Sequence, residues 1–292
     1  MADVQVQRLS HVGLMANDVN KQAEFYTDRW GLDRIDEDAG TIYLRGENGD
    51  HHCLSLRPGE AGLDYIAFEI ASADELERGV DKLHQRGLQI LDAPRTGLEP
   101  GVGKALRFKD TDGNTIELFA GMETVKDSYG PRGVKPRAVN HVVLHSANRP
   151  RLEQFYSDVL GFKLSDNLNN FMTFWRCNSN HHSIALVGPR PDGSSGLQHV
   201  AFELKDYLEW LKGIYTMGEA HMPPAWGPGR HLAGNNLFAY YNDPEGNRIE
   251  YTAEIEQITD INYQPHVYMG DAAIADVWSM TTFGGQRPAP RS

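Results

Sequence analysis

Leu9-Ser10-His11-Val12-Gly13-Leu14 returns 130 residues later as Val139-Asn140-His141-Val142-Val143-Leu144, and this return decides how the rest of the chain is read. At the same offset Glu24-Phe25-Tyr26-Thr27-Asp28 matches Gln154-Phe155-Tyr156-Ser157-Asp158. His51-His52-Cys53-Leu54-Ser55-Leu56 likewise matches His181-His182-Ser183-Ile184-Ala185-Leu186. After a short insertion, Leu63-Asp64-Tyr65-Ile66-Ala67-Phe68-Glu69 aligns with Leu197-Gln198-His199-Val200-Ala201-Phe202-Glu203. The last echo sets Asp112-Gly113-Asn114-Thr115-Ile116-Glu117 against Glu245-Gly246-Asn247-Arg248-Ile249-Glu250. Self-similarity in constant order marks a duplicated architecture.

Each half reads as the same string of elements. A short alternating strand carries the first His. A helix follows near 17–29 or 148–159, with apolar residues at helical spacing and Asn or Asp near its start. In the first half, β-rich runs lie at 41–44, 53–56, 64–70, 105–109 and 115–119, with a second helix at 73–86. Asp-Gly-Asn and Glu-Gly-Asn mark the turns between the last two strands of each half. The expected class is α+β, each half two β-α-β-β-β units with mixed sheets. The expected boundaries are an N-terminal domain at 1–123, a Gly-Pro and Lys-Pro linker at 124–136, a C-terminal domain at 137–261 and a tail at 262–292. Tyr263, His266, Tyr268, Trp278 and Phe283 make that tail too apolar for a solvated end, so it should pack on the C-terminal domain or on a neighbouring subunit.

The 292 residues are 40% hydrophobic and 23% charged, enough for two domains that each bury a core. A net charge of −12 argues against a nucleic-acid partner, because phosphate binding relies on clustered Lys and Arg. No apolar run approaches the roughly 18–20 residues of a membrane span. MADVQVQRLS lacks the basic-then-apolar pattern of a signal peptide, and Cys53 and Cys177 form no C-x-x-C motif, so the expected setting is a reducing cytoplasm. Less ordinary are the twelve histidines, eight of which follow residue 130.

Three residues of the second half have the chemistry for one metal. His141, His199 and Glu250 supply two imidazoles and a carboxylate, a facial set suited to non-haem Fe(II). Each falls on a different expected strand, and alternation lets all three point into one concavity. The first half keeps His11 and Glu117 but has Tyr65 where the second has His199, so one working site is expected. Other polar candidates surround it. His181 stands beside His182, His231 sits in a Gly/Pro loop, and Tyr240 leads into a turn. Phe171, Phe174, Trp175 and Trp226 offer aromatic walls for a flat ligand.

Gly229-Arg230-His231, then after seven residues Ala239-Tyr240-Tyr241-Asn242-Asp243-Pro244-Glu245-Gly246-Asn247-Arg248-Ile249-Glu250, resembles the signature of type I extradiol ring-cleavage dioxygenases of the vicinal oxygen chelate superfamily. The likeness spans about residues 8–265 and departs at Ala239, where the family has a larger apolar residue. It implies two tandem vicinal-oxygen-chelate domains with sheets curled around a central cavity. It also implies Fe(II) held by His141, His199 and Glu250, with Mn(II) as the other metal those ligands serve. His181 then matches the acid/base histidine, and His231 and Tyr240 the groups that contact substrate oxygens. Val143, Phe171, Thr173 and Phe174 would shape the substrate pocket. The implied reaction opens catechol or a substituted catechol beside the diol with O₂, giving a 2-hydroxymuconic semialdehyde-type product. A 2,3-dihydroxybiphenyl-type substrate is the nearest alternative, and a non-catalytic aromatic-binding member is one of a different class. Homo-oligomers are common in the family, and one is expected here.

Overall fold

In the computed structural model, residues 2–126, 133–168, 171–269 and 275–278 are described; the middle of the expected linker and the end of the tail lie outside them. The first half runs β1 (Val6–Ala16), α1 (Val19–Asp28), β2 (Asp33–Asp38), β3 (Thr41–Arg45), β4 (Leu54–Pro58), β5 (Gly62–Ile70), α2 (Ala73–Gln85), β6 (Ile90–Thr96), β7 (Val102–Lys109) and β8 (Thr115–Met122). The second runs β9 (Ala138–His145), α3 (Arg149–Asp158), β10 (Lys163–Leu168), β11 (Met172–Arg176), β12 (Ile184–Val187), β13 (Gly196–Glu203), α4 (Tyr207–Glu219), β14 (Trp226–Arg230), β15 (Leu237–Asn242) and β16 (Arg248–Ala253), with β17 (His266–Tyr268) added from the tail.

Each half is one mixed sheet. The orders are β2-β3-β4-β1-β5-β8-β7-β6 and β14-β15-β16-β13-β9-β12-β11-β10-β17. Strand β1 is parallel to β4 and antiparallel to β5, and β5 is parallel to β8. The second half repeats these relations through β9, β12, β13 and β16. Two βαβββ units thus join edge to edge in each half. Strands β2 and β6 were not legible in the sequence. Asp33–Asp38 reads Asp-Arg-Ile-Asp-Glu-Asp, and Ile90–Thr96 carries a proline, so neither shows apolar alternation. Both are outer strands, held by one neighbour's ladder.

Local chemistry sets the helix starts. Asp18, Ser72, Asn148 and Asp206 cap α1 to α4, each side chain accepting the backbone N–H three residues on. The helices cover one face of the sheets, and alternation sends Val142 and Leu144 into that core beside Phe155 and Tyr156. Residues of the opposite parity line the inner faces: Tyr65, Ala67 and Ala105 in the first half, Val143, Phe174 and Ala185 in the second. The helix-side core is shared by both halves. Trp30 stacks on Tyr251 with ring centroids 3.6 Å apart, and the Tyr251 hydroxyl donates to the Trp30 carbonyl at 2.8 Å. Gly31 turns the chain beneath this contact at φ +93°, and a Cβ there would lie 2.3 Å from the Val134 carbonyl oxygen, so only glycine fits.

The described tail lies on the second half. Strand β17 pairs in parallel with β10, and the Val277 amide donates to the Arg230 carbonyl at 2.8 Å. No helix among the described residues is long and apolar enough to cross a membrane.

Candidate metal centre

Register builds the centre. On β13, Ala201 stands opposite His141 of β9 on one side and Glu250 of β16 on the other, while His199 pairs with Val143 across a bulge. The small Ala201 leaves the two flanking side chains free to converge over it, and His199 closes the triangle.

The distances are those of a ligand set. His141 Nε2 lies 3.2 Å from His199 Nε2 and 3.3 Å from Glu250 Oε2, and His199 Nε2 lies 3.1 Å from the same oxygen. Adjacent ligands on an ion with bonds of about 2.1 Å fall at about this spacing. Tautomers strengthen the case. His141 Nδ1–H donates to Asn140 Oδ1 at 2.8 Å and His199 Nδ1–H donates to Gln198 Oε1, so both Nε2 lone pairs face inward. Glu250 Oε2 is buried with no hydrogen-bond partner. Two bare imidazole nitrogens and a carboxylate oxygen repel one another unless a cation lies between them, so the residues fit a divalent ion.

Electrostatics agree. Burial outweighs Glu250 at His199 and brings its pKa down to about 4, so the imidazole is neutral and able to ligate. Asn236 supports the carboxylate from behind, its Nδ2 reaching Glu250 Oε1 at 3.4 Å and Thr252 Oγ1 at 2.9 Å.

His141 and His199 floor a cavity of about 340 Å³, with Glu250 fully buried against them. Val143, Phe171 and Phe174 line it, joined by Met172, Val187 and Trp226. Thr173 does not. Alternation on β11 turns it to the opposite face, where its hydroxyl donates to Glu153 and accepts from the Trp175 indole. His231 and Tyr240 stand on the wall: the Tyr240 hydroxyl lies 3.1 Å from His231 Nε2, and His231 Nδ1–H donates to the Ala275 carbonyl at 2.6 Å. Burial lowers the His231 pKa, and burial together with Glu250 holds the Tyr240 phenol well above its ordinary value, so both are neutral near pH 7.

His181 is the second correction. The histidine that lines the cavity is His182, with its ring centroid 4.3 Å from that of His141, while His181 turns away and bonds Asp166 at 2.9 Å. Alternation carried back from Ala185 would put residue 181 on the cavity face. The chain bends at 181 and 183 before β12 begins, and the bend exchanges the two rings. Burial, with the neighbouring imidazoles, holds His182 well below the ordinary histidine value. The adjacent pair was visible in the sequence; which member faced inward depended on backbone geometry that period-2 counting misses. Asn140, Gln198, Asn236 and Ala275 escaped sequence reading because their roles arise only from contact.

The family model described as Glyoxalase/Bleomycin resistance protein/Dioxygenase superfamily matches residues 8–118 and 138–251, and the chain belongs to that superfamily. Within it, the chain groups with the extradiol ring-cleaving dioxygenases. It is 27% identical over 282 residues to a manganese-dependent 2,3-dihydroxybiphenyl 1,2-dioxygenase of Geobacillus genomosp. 3, an alignment covering 89% of each chain. It is 33% identical over 218 residues to metapyrocatechase 2 of Cupriavidus necator, covering 67% of this chain and 65% of that one. Among solved structures, an Mn(II)-bound glyoxalase from Novosphingobium aromaticivorans matches with a TM-score of 0.88 at 34% identity, covering 99% of this chain and 96% of that one.

Proposed function

We propose that the chain is an Fe(II)-dependent extradiol dioxygenase that opens a catechol or substituted catechol beside its diol with O₂, giving a 2-hydroxymuconic semialdehyde-type product. The observation that carries this reading is the convergence of His141, His199 and Glu250 with three further polar groups, His182, His231 and Tyr240, on one apolar-walled cavity. A bound divalent ion would supply Lewis-acid charge and a path for electrons between a diol and O₂. The chain does the rest. Neutral His182 is placed to take a substrate hydroxyl proton and return one later. Tyr240 donates its hydroxyl hydrogen to the bare Nε2 of His231, whose own hydrogen is on Nδ1, and its oxygen is left to accept from a substrate hydroxyl. Val143, Phe174, Met172 and Trp226 exclude water and favour an apolar ring substituent. The half at 1–123 is the non-catalytic support, 137–261 carries catalysis, and Ala275 of the tail adds to the wall.

The test is reconstitution under anaerobic conditions with Fe(II) or Mn(II), then O₂ uptake with catechol, alkylcatechols and 2,3-dihydroxybiphenyl. One O₂ per ring and a yellow product are expected; a tight catechol complex in air without O₂ uptake would make the chain a binder instead. The likeness to an Mn(II)-bound glyoxalase favours a second reading, a glyoxalase-type reaction. It predicts turnover without O₂ and no need for His231 and Tyr240 together. Tyr207, Leu208, Leu211 and Tyr215 form an exposed apolar stripe on α4, which supports a homo-oligomer; light scattering decides.

A further inference from the structure

Behind the cavity wall, a line of polar groups runs from His182 to the tail. His182 Nδ1 lies 2.9 Å from His181 Nδ1, and His181 Nε2 lies 2.9 Å from Asp166 Oδ2. The other Asp166 oxygen accepts the His266 amide at 2.9 Å and the Tyr263 hydroxyl at 3.1 Å. Asp166, His181 and His182 are all buried, at 1%, 0% and 3% exposure. Buried polar groups of this kind must satisfy one another, so their hydrogens can be counted.

The count has one solution with both imidazoles neutral. An aspartate carboxylate only accepts, so His181 Nε2 carries the hydrogen. His181 Nδ1 is then a bare lone pair, and His182 must donate to it from Nδ1. The remaining nitrogen of His182, Nε2, is left without a hydrogen, and it has no partner among the described residues. We propose that Asp166 and His181 are positioning residues that fix the tautomer of His182, presenting its bare Nε2 to a substrate hydroxyl.

The first half shows what the device looks like without its clamp. His51 Nδ1 lies 3.1 Å from His52 Nδ1, and the corresponding aspartate, Asp36, is present. Yet Asp36 Oδ2 is 3.8 Å from His51 Nε2, and its side chain is 43% exposed. Strand β17 makes the difference: it pairs with β10 so that the His266 amide meets Asp166, and the two bonds from the tail hold that carboxylate against His181. The tail therefore acts on the pocket through two bonded side chains.

Only the use made of Nε2 rests on the ring-cleavage reading; the tautomer does not. The experiment is ¹⁵N NMR of ¹⁵N-histidine-labelled full-length protein loaded with Zn(II), which is diamagnetic, with His182→Gln to assign the signal. The wild type should show His182 protonated at Nδ1 and bare at Nε2. In Asp166→Asn the Nε2–H form should appear, and kcat for O₂ uptake by the Fe(II) enzyme should fall about 10–100-fold with KM and iron content little changed. Asp166→Glu should recover part of the loss. His181→Asn, which leaves Asp166 bonded to the tail, should give the same change of tautomer if Asp166→Asn unfolds. Nε2–H in the wild type, or an Asp166→Asn protein with unchanged tautomer and kcat, overturns the proposal. A wild type with the expected tautomer but no O₂ uptake would instead overturn the ring-cleavage reading.

Discussion

The two halves share a chain trace and differ in how one buried spot is neutralised. In the second, Val143 pairs with His199 and Tyr240 pairs with Glu250. In the first, those pairs read Gly13 with Tyr65 and Arg107 with Glu117. The changes support one another. A Cβ at Gly13 would fall 2.1 Å from the Tyr65 ring, so the phenol fits only over glycine. Its hydroxyl shares a 2.7 Å bond with Ser55, where the second half has Ala185. Arg107 bonds Glu117 at 2.8 Å and also bonds Glu99, and its guanidinium lies 3.9 Å over the Tyr65 ring.

His11, His52 and Glu99 do come close enough to hold an ion. The charges argue against one there. Burial opposes protonation of His11, but bonds to Glu117 and Glu99 raise its pKa to about 9, so at neutral pH His11 and Arg107 balance the two carboxylates. A divalent ion there would face a fixed guanidinium. Among the described residues of the second half, no Arg or Lys bonds Glu250, and its Oε2 has no hydrogen-bond partner. The first half thus draws from the chain itself the positive charge that a divalent ion would bring to the second.

Several experiments would break this contrast. The largest effect is expected for His199→Ala, which should lose the metal and, with it, several kcal/mol of transition-state stabilisation, seen as loss of O₂ uptake. Arg107→Leu should leave metal content intact but destabilise folding by about 3–5 kcal/mol, because Glu99 and Glu117 lose their buried partner; urea unfolding measures it. Tyr65→His restores the missing imidazole beside an unchanged Arg107, so metal content should not rise, while stability falls by about 1–3 kcal/mol over the vacated space. Tyr240→Phe removes one hydrogen bond and should lower kcat/KM about tenfold without touching the metal. The smallest effect concerns pH. The His11 pKa is raised in the folded state, so its stabilisation is full below about 6.5 and is lost as pH rises through about 9. Urea midpoints should decline across that window, less so in His11→Asn.

The duplication and the triad were legible because each is carried by residue type at a constant offset. His141, His199 and Glu250 stand on strands, and the bulge beside His199 leaves it on the same face as Ala201. His181 and Thr173 were misplaced for different reasons. A bend before β12 exchanged the inward histidine, and on β11 a polar residue among aromatics faced α3 rather than the cavity. Arg107 and Glu99 carried no signal at all, since a buried ion cluster is made of residues that usually sit in water. Strands β2 and β6 were hidden likewise by their polar, outer-strand composition.

Metal content per chain tests the central claim most directly. Protein reconstituted with Fe(II) or Mn(II) and freed of excess metal should hold one ion per chain, lost in His199→Gln and kept in His52→Gln. Two ions per chain, or an ion that survives His199→Gln and leaves with His52→Gln, would contradict the account.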